Sequence, residues 1–257
     1  MSTTHLVIPD PHAHPDFNND RADWIGRLIL DVRPDVVVNL GDTWDFPSLS
    51  SYEKGKKSFW GRAYKKDLDA GLDFDARLWK PIREAKRRHP FKVFIEGNHE
   101  NRLKRMLQIQ PEFDGTVSFD DLQLKKNYDV VTEYTGTSTP GTVEIDGILY
   151  SHFLISGVQG KAVSSIHLGY NLLQKRHQSV TVGHNHTFSY DVQQTGARTL
   201  HGLCCGTLQT YVPDWAGEVA HLWRHGVALK HNVRDGNYDL EWISIERLKK
   251  EYGTDVR

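Results

Sequence analysis

The chain has 257 residues, 38% of them hydrophobic and 11% aromatic, enough to bury one large core and better suited to a single α/β domain over 1–257 than to two small ones. Lys and Arg total 32 against 33 Asp and Glu, a formal net charge of -1, which excludes a global basic field for holding a polyanion and leaves only local recognition of charge. No stretch approaches the roughly 18 apolar residues of a membrane span, and MSTTHLVIPDPHAHPD has no basic region followed by a long apolar run, so a cytoplasmic protein with no membrane partner is expected.

Taken in chain order, the first predicted strand is Thr4 to Asp10, and it ends in Asp10 and His12. A helix near Arg21 to Val32 follows, with Trp24, Ile25, Leu28 and Ile29 on one face. Asp35 to Asp42 is a nearly uniform apolar run, as expected of a strand covered on both faces, and it ends in Asp42 with Asp45 three residues on. The segment 47–66 carries Lys54, Lys56, Lys57, Arg62, Lys65 and Lys66 against the single acid Glu53. Its interleaved Tyr52, Phe59, Trp60 and Tyr64 allow two readings: a surface loop whose aromatics pack inward, or an insertion over the active site that contacts a nucleotide or nucleic acid. Asp67 to His89 reads as helix, kinked or divided at Pro81. Phe91 to Glu96 is the next strand, followed by Gly97-Asn-His-Glu100. Gly147 to Phe153 is a strand carrying His152, Lys161 to Gln174 a helix, and Ser179 onward a strand that ends in His184 and His186. The stretch 227–245 alternates on either side of Arg234-Asp-Gly-Asn237, a hairpin signal.

Five strands thus end in residues able to bind a metal. In an open α/β sheet, side chains at the carboxyl ends of neighbouring strands converge on one crevice, so ligands far apart in sequence can meet. Imidazole mixed with carboxylate and amide oxygen, without thiolate, suits Mn, Fe, Zn, Ni or Co better than an all-oxygen Ca or Mg site. The set is large enough for two ions. Cys204 and Cys205 are adjacent, where a disulfide would close a strained ring, so they read as reduced thiols in a packed strand.

In order and spacing, Asp10-Pro-His12, Gly41-Asp-Thr-Trp-Asp45, Gly97-Asn-His-Glu100, the lone His152 and Gly183-His-Asn-His186 resemble the five blocks of the calcineurin-like metallophosphoesterases, over roughly residues 4 to 190. The resemblance implies a double β-sandwich flanked by helices, four layers in αββα order, with a dimetal site at its edge. By matching position it implies that Asp10, His12 and His186 hold one divalent ion, that Asn98, His152 and His184 hold a second, and that Asp42 bridges them, with Mn favoured. His99 would protonate the leaving group, Asp45 would orient its ring, Glu100 would brace the turn that Gly97 allows, and Arg102 would clamp phosphate. The implied reaction is in-line attack on phosphorus by a water activated between two cations.

The substrate is less determined. Where protein phosphatases of this superfamily continue the second block as Asp-Arg-Gly, this chain has Asp45-Phe46-Pro47, which counts against a protein phosphatase. A compact phosphodiesterase acting on nucleotides or other small phosphodiesters, of the kind that phages and bacteria encode, is the favoured reading. Nuclease activity is the alternative, with monoesterase activity as a side reaction. A scaffold that has lost catalysis is the competing class, but all seven ligand positions and His99 are present. His14 follows His12 at period two and reads as a solvated loop histidine or a substrate contact; His201, His221, His225 and His231 lie outside the blocks and read as surface or satisfied core residues.

Overall fold

The computed structural model describes residues 2–86, 88–214 and 216–253. In chain order the elements are β1 (Thr3–Ile8), α1 (Asp20–Val32), β2 (Val36–Asn39), α2 (Tyr64–Glu84), β3 (Phe91–Ile95), α3 (Asn101–Ile109), α4 (Leu124–Asn127), β4 (Val130–Thr132), β5 (Thr142–Ile145), β6 (Ile148–Ser151), β7 (Ile155–Ser156), β8 (Lys161–Ala162), α5 (Leu168–Arg176), β9 (Ser179–Val182), β10 (Phe188–Thr195), β11 (Arg198–Cys205), β12 (Gly226–Arg234), β13 (Asn237–Ser244) and α6 (Ile245–Tyr252). Two sheets carry the fold, one in the order β13-β12-β1-β2-β3-β4 and one in the order β10-β11-β9-β6-β5. Within them β1, β2, β3 and β4 run parallel, as do β6, β9 and β11.

The apolar runs are continuous because both faces of each sheet are covered. Val7, Val38, Val93 and Ile95 of the first sheet meet Ile148, Tyr150, Leu203 and Cys205 of the second in one core. Their chain neighbours Leu6, Ile8, Val37 and Phe94 face the other way, onto Ile25, Leu28 and Ile29 of α1 and Phe74 and Leu78 of α2. On the far side Val180, Val182 and Cys204 pack under Leu168 and Leu172 of α5. Helices, sheet, sheet and helix therefore form the αββα layers, and period-two side chains serve two cores at once.

Two predicted elements differ from what is found. The helix expected over 161–174 begins only at Leu168; Lys161 and Ala162 instead pair with Ile155 and Ser156, and the Val163 N–H donates to Leu154 O at 2.8 Å. Val163 followed by two serines is poor helix sequence, and burying Val163 in the α5 core decides the conformation. Helix α2 starts three residues earlier than predicted and stops at Glu84. Pro81 does not divide it but sits in its last turn, and residue 87 of the predicted stretch lies outside the described residues. The 226–244 hairpin turns through Asp235 and Gly236, both left-handed at φ 51° and 83°, as a two-residue primed turn requires. No helix among the described residues is long and apolar enough to cross a membrane.

Candidate metal centre

Parallel pairing puts the carboxyl ends of β1, β2 and β3 at one edge of the first sheet and those of β6 and β9 at the same edge of the second. Backbone bonds then fasten the loops together. The His12 N–H donates to Asp42 O at 2.8 Å, and that of Gly183 to His152 O at 3.0 Å. The two sheets are joined where the His184 N–H donates to both Asp10 carboxylate oxygens, at 2.9 and 3.0 Å. Asp42 Oδ1 accepts the His99 N–H at 2.8 Å. Glycine is needed at two of these crossings, because a Cβ on Gly183 would overlap the Asp10 carboxylate and one on Gly97 would overlap Asp42. Gly97 is thus required by close approach; its backbone is not among the left-handed glycines.

The result is three overlapping ligand groups, Asp10 with His12 and His186, Asp42 with His152 and His184, and His12 with Asp42 and His99, each with its ligand atoms within 4.8 Å of one another. His12 Nε2 lies 3.1 Å from His186 Nε2, and Asp42 Oδ2 lies 3.7 Å from His12 Nε2 and 3.3 Å from His152 Nε2. Asn98 joins the second group through Oδ1, 2.9 Å from His152 Nε2. All seven residues singled out from the sequence therefore surround one small volume, with Asp42 at its middle. Their tautomers are set from behind: His12 Nδ1 meets Asp45 Oδ1 at 2.9 Å and His152 Nδ1 meets Leu40 O at 2.8 Å. Both oxygens only accept, so both rings hold their proton at Nδ1 and turn Nε2 inward.

Charge in this volume also fits cations. Burial, reinforced by Asp42, pushes the Asp10 carboxyl up to about 7, and burial beside Asp42 does the same to Glu100. Asp42 itself is opposed by burial, yet His152, His99 and His12 hold it well below the usual carboxylate range. Burial, with His152 adding to it, pushes His184 down to about 3; burial and His12 push His186 well down. Both stay neutral at pH 7 and present lone pairs. Crowded buried carboxylates beside neutral imidazoles form a donor set that divalent ions would satisfy.

Next to these groups stands His99. Its Nδ1 donates to Asp45 O at 2.6 Å and is 3.1 Å from Asp45 Oδ1, which leaves Nε2 toward the crevice, 3.9 Å from Asp42 Oδ2. Asp45 therefore orients His99 and His12 together, a second role that the sequence does not reveal. Despite the cost of burial, hydrogen bonds from both rings keep its carboxyl well below the usual range. Arg102 lies at the same junction, with Nη1 donating to Asp45 O at 2.7 Å and Phe46 O at 3.2 Å and Nη2 3.0 Å from His99 Nε2. Half of its fork is thus spent on backbone. Glu100 accepts the N–H groups of Asp42, Gly97 and Trp44 at 2.9, 2.9 and 3.0 Å and braces the turn.

Two cavities meet here and share His12, Ser50, His99 and Arg102. The larger, about 480 Å³, has the ligand groups as its floor and Tyr52, Lys56, Val219 and Trp223 in its walls. The smaller, about 220 Å³, extends past His14, Arg62, Gln209 and Tyr211. Segment 47–66 thus overhangs the crevice, and its aromatics are split: Tyr64 stacks on Phe46, whereas Tyr52 and Trp60 are 77% and 91% exposed and do not pack inward. His14 is not solvated; it is 4% exposed, with Nε2 2.7 Å from Arg62 Nη1. The stretch from Thr207 to Trp223 was not legible as part of the site. It is pinned there by the Thr207 hydroxyl donating to Asp10 O at 2.9 Å and by Trp223 edge-on to His186 at 4.5 Å, contacts with no local sequence pattern. His201 is a satisfied core residue, between Tyr190 and Asn237 at 2.7 Å each.

Comparison with known proteins agrees with this geometry. Residues 4–207 match the family described as calcineurin-like phosphoesterase. The Gene 54 protein of Mycobacterium phage L5 is 29% identical over 197 residues, covering 72% of this chain and 70% of its own. The Gene 54 protein of Mycobacterium phage D29 is 28% identical over 191 residues, with the same coverage of each. A solved crystal structure aligns over 94% of this chain and 99% of its own at 13% identity and a TM-score of 0.42, too distant a likeness to carry an argument.

Proposed function

The chain belongs to the calcineurin-like phosphoesterase family, and from that premise we propose that it hydrolyses phosphodiester bonds of nucleotides or other small diesters with the help of two divalent transition-metal ions, manganese by preference. The family makes it a metal-dependent phosphoric ester hydrolase. The observation that carries the finer reading is that the group of Asp10, His12 and His186 and the group of Asp42, His152 and His184 adjoin at Asp42, whose Oδ2 lies 3.7 Å from His12 Nε2 and 3.3 Å from His152 Nε2, beside a ring-oriented His99 and open to two adjoining cavities. Asp10, His12 and His186 would hold one ion and Asn98, His152 and His184 the other, with Asp42 between them. When bound, such ions supply Lewis acidity, which acidifies water and offsets the charge that builds on the phosphoryl oxygens.

The rest is done by the chain's own groups. Asp45 fixes the His99 tautomer so that Nε2, once protonated, faces the oxygen that departs. Arg102 Nη2, beside His99 Nε2, can reach a phosphoryl oxygen while Nη1 holds the Asp45 turn in place. A diester has two organic arms on one phosphorus, and two cavities joined at His99 accommodate both; a monoester would leave one empty. The test is hydrolysis by metal-stripped protein after adding back Mn²⁺, Ni²⁺, Co²⁺, Zn²⁺ or Mg²⁺, comparing bis(p-nitrophenyl) phosphate with p-nitrophenyl phosphate. Metal-dependent turnover that prefers the diester is expected, and preference for the monoester would overturn the diester reading.

A nuclease is the second reading, favoured by Tyr52 and Lys56 in the wall of the larger cavity and by exposed Trp60 with Lys54 and Lys57 in the same segment. Stacking platforms interleaved with cations hold single strands. On that reading, neutralising the three lysines weakens binding of a single-stranded oligonucleotide and flattens its salt dependence; unchanged binding removes the nuclease reading.

A further inference from the structure

We propose that a buried chain of hydrogen bonds from Asp75 through Tyr128 to Asn39 positions Asp42, and that it governs metal binding from behind the crevice without touching ion or substrate, a role that rests on Asp42 holding both ions.

Asn39 is the last residue of β2 and shares the parity of Val37, so its side chain enters the layer between the first sheet and the helices. Asp75 of α2 and Tyr128, which follows α4, meet it there, and all three are buried. Asp75 Oδ1 accepts the Tyr128 hydroxyl at 2.7 Å and Trp79 Nε1 at 3.2 Å, and Oδ2 accepts Asn127 Nδ2. A carboxylate so surrounded only accepts, so Tyr128 must donate its hydroxyl proton to Asp75 and has only lone pairs to offer Asn39. Asn39 accordingly turns Nδ2 to the Tyr128 oxygen, at 3.1 Å, and Oδ1 the other way, to the Gly41 N–H, at 3.0 Å. The Thr43 hydroxyl meets both ends of the same amide, at 2.9 and 3.2 Å. Donor and acceptor roles are thus dictated from Asp75 as far as the two residues that flank Asp42.

The turn that the chain reaches is strained. Gly41 and Asp42 are both left-handed, at φ 88° and 50°. A Cβ on Gly41 would overlap Ile95 O and Gly97 N, so the turn is wedged against the end of β3, while the Asn39 amide holds it from below. Thr43 O accepts the Ala13 N–H at 2.7 Å, which carries the constraint on to the loop of Asp10 and His12. The Tyr128 ring is itself fixed edge-on to Phe94 at 5.2 Å and to Trp79 at 5.6 Å, so its hydroxyl has little freedom to follow a displaced amide. No side-chain polar atom of Asp75, Tyr128, Asn39 or Thr43 is among the buried atoms that lack a partner. A satisfied buried network rigidifies what it holds, and what this one holds is the backbone on either side of Asp42.

The experiment uses full-length protein and reads Mn²⁺ dissociation constants from the electron paramagnetic resonance of free Mn²⁺, with urea unfolding alongside. It compares the native chain with Tyr128→Phe, Thr43→Val, the double variant and, as a control, Tyr150→Phe, which deletes another buried hydroxyl, 2.8 Å from His5 Nδ1 in the core between the sheets. Mn²⁺ binding about 10- to 100-fold weaker is expected in Tyr128→Phe and in Thr43→Val. The double variant should lose less than the product of the two, because both free the same amide, and Tyr150→Phe should bind Mn²⁺ as the native chain does, whatever stability it loses. Native affinity in Tyr128→Phe, equal weakening in Tyr150→Phe, or losses that multiply independently in the double variant would overturn the proposal. Should Tyr128→Phe fail to fold, Thr43→Val, which keeps the shape of its side chain, decides: native affinity there overturns it. If the native chain binds no Mn²⁺, the two-ion reading falls as well; if it binds two ions and the variants bind them as tightly, that reading stands and only the positioning role is lost.

Discussion

Asp10, His12, Asp42, His184 and His186 all have left-handed backbones, with φ of 43°, 45°, 50°, 66° and 59°. None is glycine, and such conformations cost of order 1–3 kcal/mol each unless the surroundings enforce them. The enforcement is visible in the hydrogen bonds from His12 N to Asp42 O and from His184 N to Asp10, which turn each chain sharply at its strand end so that the side chain reaches back over the sheet. Residue types and spacing made these ligands legible in the sequence; their strained backbones were not, because nothing in a histidine or an aspartate announces a positive φ. At this scale His99→Ala should retain its metal ions and lose about 10²- to 10⁴-fold in kcat, read by metal analysis beside kinetics; loss of the ions would show that His99 is a ligand instead. Asp45→Asn should do more, because one carboxylate orients both His12 and His99. Its metal affinity should fall about 10- to 100-fold along with kcat, and a drop in kcat alone would mean that the His12 contact is incidental.

Among the elements, the strand-end loops matter more than the strands. Gly183 follows β9 and lies against the Asp10 carboxylate of the opposite sheet's loop, so a methyl group there must push the two loops apart. Gly183→Ala is expected to weaken metal binding while the far-ultraviolet circular dichroism stays unchanged; tight binding by this variant would show that the crossing has slack. Strands β1, β2, β3, β6 and β9, the β12–β13 hairpin and α1 were legible because each carries its pattern locally, Val36 to Asn39 by continuous apolarity and Ile25, Leu28 and Ile29 by helical spacing, whereas β4, β5 and β10 were not. The helix expected from Lys161 was misread because burial of Val163, a tertiary effect, overrode the local pattern. Thr207 to Trp223 escaped notice for a related reason: it enters the site through contacts with Asp10 and His186, far away in sequence.

For the molecule as a whole, stacking two sheets face to face places their carboxyl edges together and also encloses Lys230 between them. Its ammonium is fully buried, bonded to Thr181 Oγ1, 3.3 Å from Tyr150 OH, and over the Tyr150 and Tyr238 rings at 4.4 and 4.6 Å. Burial pushes it down to about 7 from an ordinary 10.5. Between those values the unfolded chain binds more protons than the folded one, so stability should rise with pH, by up to about 1.4 kcal/mol per pH unit. Urea unfolding at pH 7 and pH 9 should show the native protein gaining on Lys230→Met over that interval; parallel behaviour of the two would mean that Lys230 titrates normally. A sheet covered on both faces was legible from continuously apolar strands and the αββα layering from the family resemblance of the five blocks, whereas a lysine inside the sandwich was not, since a lone Lys in a strand ordinarily faces water. The central claim is that five strand ends build one centre for two ions, and it is tested most directly by metal content against added Mn²⁺, measured by mass spectrometry on native protein and on Asp42→Asn. Two ions per chain in the native protein, with at least one lost in the variant, are predicted; no bound ion in the native protein, or two bound equally well without the Asp42 carboxylate, would contradict it.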